Sequence, residues 1–252
     1  MKYLDEPRLA YWSNFLQKVE LGDRLLSVRT EAFSCKKAGD DKRLSKELEK
    51  HMKEKMVASP GKTSYGTSPN FGVLSDVVVR RTLVDLICTM NASFPDYDFS
   101  GVRPDHFQKE GSVSLVRNKV NAALAEISVI HNKIFLESFW ADLDEVMKLK
   151  DCEVYSYSAD TEGDPFTEGC LWSFNHFFLN KTLKRVLFLH CTTKSKLHMM
   201  DDSMGGGSDS DADDDEEDDG DLDQDQDNDQ YPGDIMGDMD MEPAGGDDDS
   251  MT

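Results

Sequence analysis

Apolar positions along this chain follow two rhythms, and the clearer one runs through Asp164–Cys191. Two apolar runs, Cys170–Leu179 and Leu183–Cys191, flank Asn180-Lys181-Thr182, which predicts the two strands of a hairpin. Side chains alternate along a strand. Trp172, Phe174 and Phe178 therefore share one face with His176, while Leu171, Phe177 and Leu179 take the other. On the second strand Leu183, Leu187 and Leu189 face opposite to Val186 and Phe188. Two apolar faces place the hairpin centrally in a sheet covered on both sides, with Trp172 and Phe174 expected to fill the core. Asn180 tolerates the positive φ that a tight primed turn requires. Arg24–Cys35 alternates as well, Leu26, Val28, Thr30 and Ala32 against Ser27, Arg29 and Glu31, and predicts a half-buried strand. Cys152–Ser158 predicts another.

Elsewhere the spacing is helical. Leu9, Trp12, Phe15, Leu16 and Val19 define a helix over Pro7–Val19, with proline suited to its first turn. Ser75 is the expected N-cap of a second helix, with Asp76 in its first turn and Val79, Leu83, Leu86, Ile87 and Met90 on its stripe. Val113, Val116, Val120, Leu124 and Ile127 predict a third, and Phe135, Phe139, Leu143 and Val146 a fourth over Ile134–Leu149. Helices interleaved with strands through short connections give an α+β expectation: a single layered domain, its mainly antiparallel sheet packed with helices.

Residues 43–72 depart from both rhythms. Arg43–Val57 alternates charges and predicts a short solvated helix with little to bury. Ala58–Gly72, rich in Ser, Pro and Gly, reads as an exposed, mobile insertion. It carries Ser59-Pro60 and Ser68-Pro69, two candidate sites for proline-directed kinases.

Charge changes the picture at the C-terminal end. The chain of 252 residues has a formal net charge of −22, but 23 of its 50 acidic residues lie in Asp201–Thr252, which contains no Lys or Arg. The first 200 residues then hold 27 acids against 28 bases, a net charge of +1. A stretch of Asp, Gly, Met and Ser cannot bury enough apolar surface to offset chain entropy. The expected organisation is a globular domain over 1–198, interrupted by the insertion, and a disordered acidic tail over 199–252.

Little in the sequence points to catalysis or to a cofactor. Five irregularly spaced cysteines suggest free thiols rather than a disulfide framework. Asp96 with Asp98, or His176 and His190 near Cys170 and Cys191, could be imagined as acid–base or thiol sites. Turn-forming carboxylates and strand histidines account for them more simply. There is no phosphate-binding glycine loop, no HExxH and no paired CxxC. Asp221, Asp223 and Asp225 resemble the start of a calcium loop, but Gln226 stands where that loop needs Gly. Neither a signal-peptide run nor a 20-residue apolar span is present, so a soluble intracellular protein is expected. A globular part at +1 lacks the footprint of a specific nucleic-acid binder. Lys181, Lys184 and Arg185, clustered at the hairpin turn, are the candidate protein-contact residues.

EAFSCKKAGDDK (Glu31–Lys42), PDYDFS (Pro95–Ser100) and YSYS…DPFTEGCLWSFNHFFLNKTLKRVLFL (Tyr155–Leu189) resemble, in this order, the blocks of a eukaryotic regulatory family. It is the Maf-one-type repressor of RNA polymerase III transcription. Leu74–Phe99 is also similar to it. The resemblance implies a non-catalytic repressor that binds RNA polymerase III and blocks its association with the promoter-bound initiation factor. It further implies regulating kinases and phosphatases, with Ser59 and Ser68 as candidate phosphorylation sites. A protein shuttling between nucleus and cytoplasm with its phosphorylation state is the matching expectation. An acidic-tailed histone-binding or chaperone-like protein is the alternative, distinguished by a tail that binds basic partners on its own.

Overall fold

The structure, a computed structural model, describes residues 1–197 apart from 38, 59–66, 69, 132–133, 159–164 and 167–168. Ser59 and the segment 199–252 lie outside the described residues.

Chain order begins with β1 (Lys2–Leu4), α1 (Pro7–Phe15), β2 (Val19–Leu21), β3 (Arg24–Ser34) and α2 (Asp40–Ala58). The short pair β4 (Thr67–Ser68) and β5 (Gly72–Val73) leads into α3 (Val77–Ser93) and β6 (Phe107–Lys109). Then come α4 (Val113–Ala123), α5 (Ala125–His131), α6 (Ile134–Met147), β7 (Glu153–Tyr157), β8 (Cys170–Asn180) and β9 (Arg185–Ser195). One sheet runs in the order β1-β3-β9-β8-β7-β6, with β2 also pairing β3, and every pairing in it is antiparallel. No helix among the described residues is long and apolar enough to cross a membrane.

Alternation along the strands sorts their side chains into two cores. One face receives Leu26, Val28 and Ala32 of β3, Phe178 of β8 and Leu187 and Leu189 of β9, packed with apolar residues of α1, α4, α5 and α6. The other receives Phe33, Phe177, Leu179, Val186 and Phe188, packed with α2, α3 and Phe71. The Phe177 and Phe188 rings stack across the hairpin with centroids 4.7 Å apart. The hairpin thus sits centrally and is covered on both sides, as its two apolar faces predict.

Several local expectations change. The predicted third helix breaks at Leu124 into α4 and α5. The cap of α3 is Asp76 rather than Ser75, its carboxylate accepting from the Val78 amide at 2.7 Å. The hairpin loop spans the four residues Lys181–Lys184, and its positive φ falls on Lys184, not on Asn180. Trp172 does not fill the core: it is 38% exposed, and Leu171 beside it 59%, where a register shift interrupts the start of β8. The insertion is also less solvated than its charges suggest. Leu48 and Met52 of α2 are buried in the second core, and so are Phe71 and Leu74. Leu44, Leu48 and Met52, spaced four apart, form an apolar stripe that docks a helix rich in charge on its other faces.

Candidate functional site

The tip of the β8–β9 hairpin is built from its last paired residues, Asn180 opposite Arg185. Asn180 is buried and bonds in two directions. Its amide nitrogen donates to the Met147 carbonyl at 2.9 Å, and its oxygen accepts from the Leu183 amide at 2.9 Å. The first bond satisfies a carbonyl at the C-terminus of α6, which no longer has an intrahelical donor. Arg185 adds to the same helix end, donating to the Val146 carbonyl at 3.4 Å and pairing with Glu6 at 3.1 Å. A cation there complements the negative end of the helix dipole.

Lys181 turns to the opposite side of the sheet. Its ammonium pairs with Glu153 Oε2 at 2.8 Å, and that oxygen also receives the Tyr155 hydroxyl at 2.7 Å and lies 3.5 Å from Lys109. Partial burial alone would raise the Glu153 pKa. Hydrogen bonds from Lys181 and Tyr155 and the charges of Lys181 and Lys109 outweigh it and hold the carboxyl below its ordinary value. Tyr155 responds in the other sense, its phenol pushed up by burial and by Glu153.

Lys184 does neither. It is exposed, with no side-chain partner among the described residues, yet its backbone is fixed. Its φ is 54°, and its carbonyl accepts the Cys35 amide at 2.8 Å, joining the loop to the end of β3. The three cations expected to act together are therefore divided. Arg185 caps a helix, Lys181 closes a carboxylate network, and Lys184 points its charge outward from an anchored backbone. Glu6, Lys109, Glu153 and Tyr155, which complete the tip, carry no signal in the sequence, because each arrives from a distant strand or turn.

Distant segments of the chain converge at a second place. The Arg29 guanidinium lies 4.3 Å from the Phe94 ring centroid and donates to the Ser93 carbonyl at 2.9 Å. Phe94 meets Phe166 at 4.9 Å, Phe166 meets His190 at 5.2 Å, and His190 Nδ1 lies 2.7 Å from Asn175 Oδ1. Burial, with a smaller push from Arg29, lowers the His190 pKa to about 3. His190 is therefore neutral and tied to an amide rather than to Cys191, whose thiol burial pushes well up. His176 likewise contacts Ser156, at 2.9 Å, and not Cys170. Asp98 accepts the Ser100 amide at 2.9 Å and shapes a turn. Ser68, expected on an exposed loop, is buried at 2% exposure, because Phe71 just beyond it packs between Phe107 and Tyr155 at 5.9 and 5.3 Å.

Comparison with known proteins matches the same regions. The Maf1 regulator family model covers residues 26–190, from β3 through most of β9. A protein of Dictyostelium discoideum named repressor of RNA polymerase III transcription is 34% identical over 83% of this chain and 89% of its own length. A Schizosaccharomyces pombe protein of the same description is also 34% identical, over 75% of this chain and 81% of its own. Among solved structures, a crystal structure of citrus MAF1 superposes with a TM-score of 0.62 at 33% identity, covering 75% of this chain and 99% of that one. By sequence and by fold, this chain belongs to the Maf1 regulator family.

Proposed function

We propose that this protein is a repressor of RNA polymerase III transcription that acts without catalysis. It binds the polymerase and blocks its association with the promoter-bound initiation factor. The names of its relatives support the target, and the hairpin tip supports the means. The observation that carries the reading is Lys184: an exposed cation on a backbone held at both ends, beside the partly exposed Lys181–Glu153 pair. A charge presented from a fixed position steers and orients a partner with little ordering entropy to lose on binding. Kinases and phosphatases acting at Ser59 and Ser68 are the proposed control. Each phosphate adds about −1.5 to −2 charge, which weakens polymerase binding and shifts the protein from nucleus to cytoplasm.

Capture of purified RNA polymerase III by the immobilised protein tests the reading. Lys181→Gln with Lys184→Glu should lower capture at least tenfold with only a small shift of the melting curve, since the Lys181–Glu153 pair is partly exposed. Adding initiation factor before the repressor should protect transcription, whereas adding it afterwards should not. Equal capture by the double variant would move the contact surface elsewhere. Repression that ignores the order of addition would remove the blocking mechanism.

A further inference from the structure

A cleft of about 540 Å³ runs between α2 and the loop that follows α3. Its floor is apolar, lined by Leu44 and Leu48 one helical turn apart. Beside Leu48 a narrow recess opens against Met52, Leu83 and Val102. The rim is acidic, with Glu47 and Glu54 on the helix wall and Asp98 on the loop wall, against Lys50 and His51. Both walls are anchored. Lys37 ties α2 to α3, donating to Ser45 Oγ at 3.0 Å and pairing with Asp85 at 2.8 Å. On the loop, Phe99 is buried and its amide donates to Asn91 Oδ1 of α3 at 2.8 Å. The rim acids of the helix are held loosely by comparison. Among the described residues Glu47 has no ion pair, and Glu54 meets Lys50 at 3.7 Å with both side chains exposed. An exposed pair of that length is easily exchanged for another cation.

An acidic rim over an apolar floor is complementary to an occupant that carries both positive charge and apolar surface. A compact metal ion does not match it. Among the described residues no three His, Cys, Asp or Glu side chains converge to hold one, and the rim carboxylates are strung along the cleft instead. Glu47 and Glu54 are seven residues apart on one helix, a rise of roughly 10.5 Å. A matching occupant sets two cations at that separation with an apolar group between them. A second helix does this with positions i and i+7, which share a face with i+3 and i+4. We propose that the cleft docks an amphipathic helix of a partner protein, with Lys or Arg at i and i+7 against Glu47 and Glu54 and an apolar side chain between them on Leu48. The volume takes the side chains of one such face and leaves the helix itself on the surface. The site is anionic where the hairpin tip presents a cation, so it is a second interaction surface and does not depend on the role of Lys184.

Fluorescence anisotropy on the full chain tests the site. The probe is a labelled, alanine-rich helical peptide of about 16 residues, with Arg at i and i+7 and Leu at i+4. It should bind, and Glu47→Gln with Glu54→Gln should weaken binding about fivefold, as expected of two exposed contacts. Gly101→Leu keeps every charge and fills the cleft. A Cβ at Gly101 meets nothing within 4 Å, so this variant should melt like wild type and lose binding at least tenfold. A peptide with its two Arg residues four apart should bind as weakly as the double Gln variant binds the original. No binding of the original peptide would overturn the site. Unchanged binding to Gly101→Leu would overturn its place in the cleft and leave the acids as a diffuse field. Equal binding of the peptide with Arg four apart would overturn the seven-residue match. Displacement by spermidine at the peptide's own concentration would assign the cleft to a small polyamine and overturn the helix. Lys181→Gln with Lys184→Glu should bind the peptide normally, and a loss there would overturn the separation of the two surfaces.

Discussion

The two ends of the central hairpin share one alternating pattern and have opposite fates. At the tip, Leu179 and Val186 are buried, Asn180 and Arg185 hold the end of α6, and a network closes on Lys181. At the open end, Leu171 and Trp172 face solvent, and Trp172 stacks along its own strand, its ring 6.3 Å from that of Phe174. β7 pairs β8 only from Asn175 onward, so the first residues of β8 lack that neighbour. Alternation sets which face a side chain takes. Burial depends on whether a helix or a further strand reaches that point of the face.

The largest effect expected from this contrast is on stability. Phe178→Ala, at a buried site 6.3 Å from Trp140, should cost about 3–5 kcal/mol, a large part of the roughly 5–15 kcal/mol that holds a domain together. Trp172→Ala should cost under about 1.5 kcal/mol, the range of half-exposed positions. Denaturant titration of both variants checks this. Equal losses would mean that the open end is as tightly packed as the tip.

Next in size is the polar anchor. Asn180→Ala removes the amide donor to the Met147 carbonyl, which keeps the weaker Cys152 thiol at 3.5 Å, and the acceptor of the Leu183 amide. An unmade buried hydrogen bond costs about 1–3 kcal/mol. Thermal unfolding should therefore move clearly downward, and Asn180→Asp, which keeps the acceptor for Leu183 but turns a buried carboxylate toward the Met147 carbonyl at the negative end of α6, should lose at least as much. If Asn180→Ala melts like wild type, the hairpin tip does not hold α6.

A smaller effect comes from the two histidines midway along the hairpin. Burial lowers the pKa of His176 from 6.5 to about 4, and that of His190 to about 3. Between those values and 6.5 the unfolded chain binds protons that the folded chain refuses, so stability rises with pH across this window and is lost on acidification. Glu110 and Glu153, whose pKa values are lowered below the ordinary 4.5, act in the same sense but only at lower pH. Replacing both histidines by Gln should flatten the dependence between about pH 5 and 6.5 and leave the acid limb. An unchanged slope above pH 5 would assign it to other groups.

These outcomes follow what the sequence could and could not convey. Strand and helix periods sorted the central strand residues onto the two faces, because period is a local property and Phe177, Phe178, Leu187 and Phe188 alternate within the hairpin. They could not place Trp172, whose exposure depends on the reach of β7 and on an irregularity at Leu171. Nor could they show that Asn180 spends its side chain on Met147, 33 residues earlier, rather than on a positive φ. The charged helix α2 misled for a related reason: Leu48 and Met52 are few, but both are buried. Lys181, Lys184 and Arg185 looked equivalent because Glu153 and Glu6, which separate two of them from the third, come from other parts of the chain.

Lys184 gives the smallest expected change in stability and the sharpest functional one. Asparagine adopts the left-handed backbone region more readily than most residues, so Lys184→Asn keeps the loop at φ near 54° while removing the charge. The Cys35 amide keeps its backbone acceptor in this variant. Melting should therefore stay within about 2 °C of wild type, as for an exposed substitution worth a few tenths of a kcal/mol. Polymerase capture should fall several-fold, most visibly at low ionic strength, where an exposed charge is least screened. Arg185→Gln should behave in the opposite way, losing stability through Val146 and Glu6 with capture per folded molecule unchanged. If the two variants exchanged behaviours, the outward cation would be structural and the helix-capping one the contact, and the division drawn at the tip would be reversed.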